Sequence, residues 1–217
     1  DQTIPALPTQ IEQGSPEWFQ MRCGKLTASK LALAVTRTKG GWCASRENVM
    51  VEIACERLTG RPTESFTSMA MQWGKDTEPL ARMAYSFETG HEVKEVAFVD
   101  HPDIEWSGAS PDGVIKKGNG LVEIKCPNSA THLKTLTGGA IPKKYLFQMA
   151  WQMACTGAAW CDYASYDPRM PDNLQLHITR VPLDEDLVSQ LEQDAKEFLS
   201  EVDVIVHKLQ AMGAGDE

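Results

Sequence analysis

Two periodicities divide the chain. Up to about residue 90, and again near the end, apolar positions recur at spacings of three and four; between these regions they alternate or cluster in short runs. Ser15-Pro16-Glu17 combines a capping hydroxyl, a proline suited to the first helical position and an acid in the first turn, which predicts a helix start. Further helices are predicted over 27–35, over 45–59 with Gly60 as its left-handed stop, and over 75–89 with Gly90 behind it. In the last of these, Leu80, Met83, Ala84 and Phe87 form the apolar face. Residues 36–43 read as a Gly-containing basic loop. The period then changes, and 92–99, 106–115 and 121–126 read as strands, the last two joined by Lys117-Gly118-Asn119-Gly120 as a hairpin turn. A helix from Pro142 to about 156, strands over 160–166 and 174–181, and a long helix from Asp184 complete the chain. This order predicts a central mixed β-sheet flanked by helices, class α/β or α+β.

Composition narrows the class without naming a function. With 217 residues, 42% of them hydrophobic and 24% charged, the chain suits one globular domain with its own core, and disorder, collagen and coiled-coil rods are excluded. No apolar run approaches the ~20 residues of a membrane span. The N-terminal stretch lacks the basic start and apolar run of a signal peptide. The six cysteines include no C-x-x-C pair and have no histidines at zinc-finger spacing. The even count allows three disulfides, but a cytosolic chain with reduced, mostly buried thiols is the expectation.

The net charge of −9 argues against a nucleic-acid partner until its distribution is considered. Residues 183–217 hold ten acids and two bases, a charge of −8, which leaves −1 for residues 1–182. Within that near-neutral body, residues 22–46 contain Arg22, Lys25, Lys30, Arg37, Lys39 and Arg46 and no acid. The stretch reads either as a field able to hold phosphates or as an ordinary solvated surface. The acidic terminal helix reads as solvated, as repelling nucleic acid from one face, or as docking a basic partner.

The chemistry concentrates at the strands. Asp112 ends one strand, ten residues intervene, and Glu123-Ile124-Lys125 follows. Alternation puts Glu123 and Lys125 on one side of their strand, and a hairpin brings Asp112 close to Glu123. Paired carboxylates repel, and a hard divalent cation such as Mg²⁺ or Mn²⁺ would resolve the conflict. The alternative is an exposed hairpin with a cross-strand Lys–Glu pair.

Pro111-Asp112 followed by Glu123-x-Lys125 is the P-D…E-x-K pattern of restriction-endonuclease-like nucleases. Around it, WFQMRCGKLTAS (18–29), WGKDTE (73–78), SPDG (110–113), GNGLVEIKCP (118–127), YLFQMAWQ (145–152) and YDPRM (166–170) occur in order. From about residue 18 to 170 the chain thereby resembles the phage lambda exonuclease family of viral alkaline exonucleases. The resemblance implies a restriction-endonuclease-like core and a single nuclease domain over 1–217. It implies two Mg²⁺ ions, replaceable by Mn²⁺, held by Glu78, Asp112, Glu123 and the Ile124 carbonyl, with Lys125 as the catalytic lysine and Gln148 near the active centre. It further implies a 5′-phosphate pocket of Arg22, Ser29 and Ser110, and a strand-separating wedge at Met69 or Met71. The implied activity is processive 5′→3′ digestion of duplex DNA ends, leaving 3′ overhangs for recombination. A ring-shaped homotrimer, a single-strand annealing protein as partner, and the cytoplasm of a bacterial host or phage-infected cell follow from the same likeness. An endonuclease of the same superfamily and a non-catalytic DNA-binding module are the alternatives. Segments 37–46 and 60–69 depart from the family pattern, and beyond about 181 only a terminal helix corresponds.

Overall fold

Ser15 caps the first helix, its hydroxyl accepting from the Trp18 amide at 3.2 Å ahead of Pro16. The computed structural model, which describes residues 11–63 and 66–213, places α1 at Pro16–Arg22, β1 at Leu26–Thr27, α2 at Ala28–Val35, β2 at Arg37–Thr38, β3 at Gly41–Trp42, α3 at Ser45–Thr59 and α4 at Met69–Thr89. There follow β4 (Val93–Lys94), β5 (Val99–Asp100), β6 (Ser107–Ala109), β7 (Gly113–Ile115), β8 (Gly120–Lys125), α5 (Ser129–Leu136), α6 (Lys143–Thr156), β9 (Trp160–Tyr166), β10 (Leu176–Pro182) and α7 (Glu185–Gly213). The first ten residues, on which the reading of the N-terminus rests, and the terminal acids Asp216 and Glu217 lie outside the described residues.

The main sheet has the order β10-β9-β8-β7-β4, antiparallel except for the parallel pair β8–β9. A smaller sheet, β1-β6-β5, pairs β1 and β6 in parallel. Strand alternation assigns the faces of β8. Leu121 joins the larger core with Phe147, Met149 and Trp151 of α6, while Val122 and Ile124 join a second cluster with Ala81 and Tyr85 of α4. Covered on both faces, β8 is buried along nearly its whole length.

Several elements differ from their sequence expectation. The strands read at 92–99 and 106–115 each split between the two sheets, as β4 and β5 and as β6 and β7. Pro111, which has no amide donor, lies at the second break. The basic loop is a small hairpin of β2 and β3. Helix α5 was not anticipated, although Asn128 caps it by accepting from the Thr131 amide at 2.8 Å.

Helix α4 starts six residues earlier than read, capped by Ser68, so Met69 and Met71 sit in its first turn. Its buried positions are Thr77, Ala81 and Tyr85, whereas Leu80, Met83 and Phe87 of the expected apolar face are exposed, Phe87 at 92%. Two contacts set the rotation. The Tyr85 hydroxyl donates to the buried Asp162 at 2.6 Å, and Arg82 reaches the Asp112 carbonyl at 3.3 Å. Burying the larger apolar residues would break both.

The basic stretch is mostly neutralised within the chain. Lys25 pairs with Asp100, Lys30 with Glu52, Arg37 with Asp194 and Arg46 with Glu201. Two of these partners lie on α7, so the acidic helix docks this chain's own basic segment, and the stretch as a whole is not an open phosphate field. Arg46 is nearly buried; it also donates to the Ala34 carbonyl at 2.9 Å and lies over the Trp42 and Phe198 rings. Arg46→Ala is expected to cost about 2 kcal/mol in urea unfolding, from the lost charge-assisted hydrogen bonds and stem packing. A change below about 0.5 kcal/mol would mean that α7 is not held there.

All six cysteines are free thiols; only Cys155 and Cys161 are buried and Cys55 is exposed, fewer buried than anticipated. No helix among the described residues is long and apolar enough to cross a membrane.

Candidate active site

The register of the β7–β8 hairpin builds the centre. Gly113 pairs with Val122, so one step further Asp112 stands opposite Glu123. Gly113 is required there, because a Cβ would meet Val93 Cγ1 at 2.2 Å. At the far end of the hairpin, Asn119 takes the left-handed conformation (φ 53°) that closes the turn. Asp112 Oδ2 accepts the Ile124 amide hydrogen at 2.7 Å, which ties the two strands together at the carboxylates.

Glu123 is buried. Its Oε1 pairs with Lys125 Nζ at 2.8 Å and its Oε2 accepts from Gln152 Nε2 at 2.8 Å. Lys125 Nζ also donates to Gln148 Oε1 at 3.3 Å and lies over the Tyr145 ring. Glu123 and Lys125 therefore both face α6, as alternation requires. From the other side, Glu78 on α4 pairs with Arg82, one helical turn on, and the Arg82 guanidinium donates to the Asp112 carbonyl.

The electrostatics are those of crowded carboxylates. Burial raises the Asp112 carboxyl well above the usual range, with Glu123 and Glu78 adding to the effect and Lys125 and the Ile124 amide opposing it. Burial also raises Glu78, against the pull of Arg82 and with the push of Glu123 and Glu95. For Lys125, burial acts to lower the pKa, but the Glu123 and Asp112 charges outweigh it and hold the ammonium above its usual range.

Among the described residues, no three His, Cys, Asp or Glu side chains form a ready-made coordination shell. The carboxylates are instead held by internal donors, namely the Ile124 amide, Lys125, Gln152 and Arg82. The donor set nevertheless suits a hard divalent cation: hard oxygens predominate, and Asp112 and Glu78 carry like-charge repulsion that such a cation relieves.

A second constellation lies beside the first. Arg22 Nη1 donates to Ser110 Oγ at 2.9 Å, and Nη2 donates to Ser29 Oγ at 3.1 Å and Thr27 Oγ1 at 3.3 Å. The guanidinium lies 4.3 Å from the Trp18 ring centre, and the indole N–H donates to both Ser110 Oγ (3.1 Å) and the Ala97 carbonyl (2.8 Å). Desolvation pulls the Arg22 pKa down to about 10, against the attraction of Glu56, which leaves it charged at neutral pH. Ser110 and Asp112 are two residues apart, no more than about 7 Å between Cα atoms. The phosphate-pocket residues anticipated from sequence are thus brought together, close to the carboxylates.

Met69, 92% exposed, and Met71, also exposed, lie about two to two and a half turns N-terminal to Glu78 on α4. Five residues in direct contact with these sites were not singled out from sequence: Gln152, Arg82, Thr27, Trp18 and Tyr145. Three carried a signal, since Gln152, Arg82 and Trp18 each stand four positions along a helix from Gln148, Glu78 and Arg22.

The mixed sheet, with Asp112 immediately before β7 and Glu123-Ile124-Lys125 on the adjacent β8, is a restriction-endonuclease-like core. Residues 17–159 match the model of the YqaJ-like viral recombinase domain, and the chain belongs to that family. It is similar to an alkaline exonuclease from Laribacter hongkongensis, also solved in complex with dAMP. The two are 44% identical, with 92% of this chain and 98% of the other covered and a TM-score of 0.85. A phage-related exonuclease from Haemophilus somnus shares the fold, with a TM-score of 0.68 at 13% identity over 88% of this chain and 99% of that one. An uncharacterized protein of Acanthamoeba polyphaga mimivirus is 28% identical over 166 residues, 71% of this chain; the match spans 29% of that relative's length.

Proposed function

We propose that the chain is a Mg²⁺-dependent, processive 5′→3′ exonuclease acting on duplex DNA ends and leaving 3′ single-stranded overhangs for strand annealing. The observation that carries this reading is the adjacency of the two constellations: a carboxylate–lysine centre at Asp112, and, two residues away at Ser110, a guanidinium–hydroxyl pocket suited to a phosphate dianion. The 44% identity to an alkaline exonuclease supports the reaction class.

Asp112, Glu123, the Ile124 carbonyl and Glu78 would hold the metal, with Mn²⁺ as a substitute. When bound, the metal supplies an activated water and charge stabilisation at the phosphodiester. The protein's own groups do the rest. Lys125, whose ammonium the Glu123 and Asp112 charges favour in the metal-free protein, would neutralise charge developing on the phosphate and is aimed by Gln148. Arg22, Ser29, Ser110 and Thr27 hold the terminal 5′-phosphate. Seated there, that phosphate places the bond to be cut close to Asp112. Met69 and Met71 offer an apolar wedge against the terminal base pair.

A homotrimeric ring would hold duplex DNA without a broadly basic surface, and the uncovered Leu80, Met83 and Phe87 on α4 support assembly. A single-strand annealing protein is the expected partner, and the cytoplasm of a bacterial host or phage-infected cell the expected location.

A time course on three substrates tests the reading: linear duplex with 5′-phosphate ends, linear duplex with 5′-hydroxyl ends, and a covalently closed plasmid, each with Mg²⁺ or EDTA. Loss of the linear 5′-phosphorylated substrate first, persistence of the plasmid, and no digestion in EDTA are expected. Cutting of the closed plasmid would favour an endonuclease of the same superfamily, and no digestion under any condition a DNA-binding module.

A further inference from the structure

We propose that Gln152 is a positioning residue that sets the orientation of the Glu123 carboxylate for metal binding; this rests on the reading of Glu123 as a metal ligand. Gln152 lies on α6 one turn beyond Gln148 and has no exposed surface. Its Nε2 donates to Glu123 Oε2 while Lys125 Nζ holds Oε1, both at 2.8 Å. The carboxylate is thereby gripped at both oxygens.

The amide has only one usable orientation. Both Glu123 oxygens accept in this arrangement, so a turned-over amide would set oxygen against oxygen. The orientation that serves Glu123 leaves Gln152 Oε1 buried with no partner. A buried orphan carbonyl is unfavourable. The flanking buried positions on α6, Met149, Trp151 and Met153, are apolar, and a methionine at 152 would match the glutamine in length without leaving an orphan. What the amide alone supplies is the N–H on Glu123 Oε2. Without it, the carboxylate is free to rotate towards Lys125 and away from the position a cation needs. Hydrogen-bond partners behind a ligating carboxylate commonly contribute 10- to 100-fold to metal affinity, roughly the range such changes produce.

Mn²⁺ titration calorimetry on the DNA-free protein tests this directly, with thermal unfolding in EDTA and the Mg²⁺ dependence of linear-duplex digestion alongside. For Gln152→Met, Mn²⁺ affinity is expected to fall by about 10- to 100-fold, and the Mg²⁺ concentration for half-maximal rate to rise by a similar factor. The rate at saturating Mg²⁺ should stay within about twofold of the unsubstituted chain, because the amide orients a ligand and does not touch the reacting atoms. Should Gln152→Met not fold, Gln152→Asn, whose amide is one carbon too short to reach, is expected to show the same loss. Unchanged Mn²⁺ affinity in a folded variant would overturn the proposal, as would tighter binding, which would show that the amide competes with the cation. No Mn²⁺ binding by the unsubstituted chain would overturn both this role and the metal reading beneath it.

Discussion

Asp112→Asn is expected to reduce digestion of linear duplex by at least about 10³-fold, the upper range for loss of one charge-stabilising group, while leaving the metal-free fold as stable or more so. The two effects part because the carboxylate serves function against stability. Asn keeps an oxygen able to accept the Ile124 amide hydrogen, so the strand-to-strand bond survives. It also removes the charge that burial, Glu123 and Glu78 disfavour. Linkage gives the sign with pH. A carboxyl whose folded pKa is raised binds its proton more readily in the folded state. Its contribution is therefore favourable at low pH, and stability falls as pH rises from the unfolded pKa of about 3.9 towards the higher folded value. Glu78 shifts in the same direction and adds to the slope. Unfolding followed from pH 4 to 8 in EDTA should show this decline in the unsubstituted chain and a shallower one in Asp112→Asn. Undiminished digestion by the variant would displace the active centre from the hairpin, and a large loss of metal-free stability would contradict the electrostatic reading.

Arg22→Ala is expected to erase the preference for 5′-phosphorylated ends. Two charge-assisted hydrogen bonds at about 1.5 kcal/mol each give about 3 kcal/mol, or ~10²-fold. The rate on phosphorylated ends should fall by that factor to the level of 5′-hydroxyl ends, whose own rate changes little. Arg22→Lys should recover only part, since an ammonium keeps the charge but loses the fork that spans Ser110 on one side and Ser29 with Thr27 on the other. The preference is read from paired time courses on the two end types. Its persistence in Arg22→Ala would place phosphate recognition elsewhere.

Much of this site was legible because its determinants are local. Asp112, Glu123 and Lys125 are joined by a hairpin whose turn residues and alternation are written in the 14 residues from Asp112 to Lys125. Helix caps at Ser15, Gly60 and Gly90 marked ends that the structure reproduces. Arg22, Ser29 and Ser110 came from ordered motifs, and no spacing argument alone would have joined Ser110 to residues some eighty positions earlier. Gln152 had only its helical spacing from Gln148 as a signal, because a glutamine on an apolar helix otherwise looks the same in sequence whether it faces solvent or a buried carboxylate.

The mixed sheet flanked by helices, the opposition of Asp112 to Glu123 and the shared face of Glu123 and Lys125 were determined by sequence alone, since each follows from periodicity and from turns closed by neighbouring residues. The tertiary structure alone decided the rotation of α4 and the fate of the basic stretch. The rotation depends on Tyr85 and Arg82 finding partners at Asp162 and Asp112, far along the chain, which outweighs the apolar pattern of the helix itself. Four of the five cations between Lys25 and Arg46 are paired with acids as many as 157 residues away, because ion pairs form by distance in space, a quantity the order of residues does not contain.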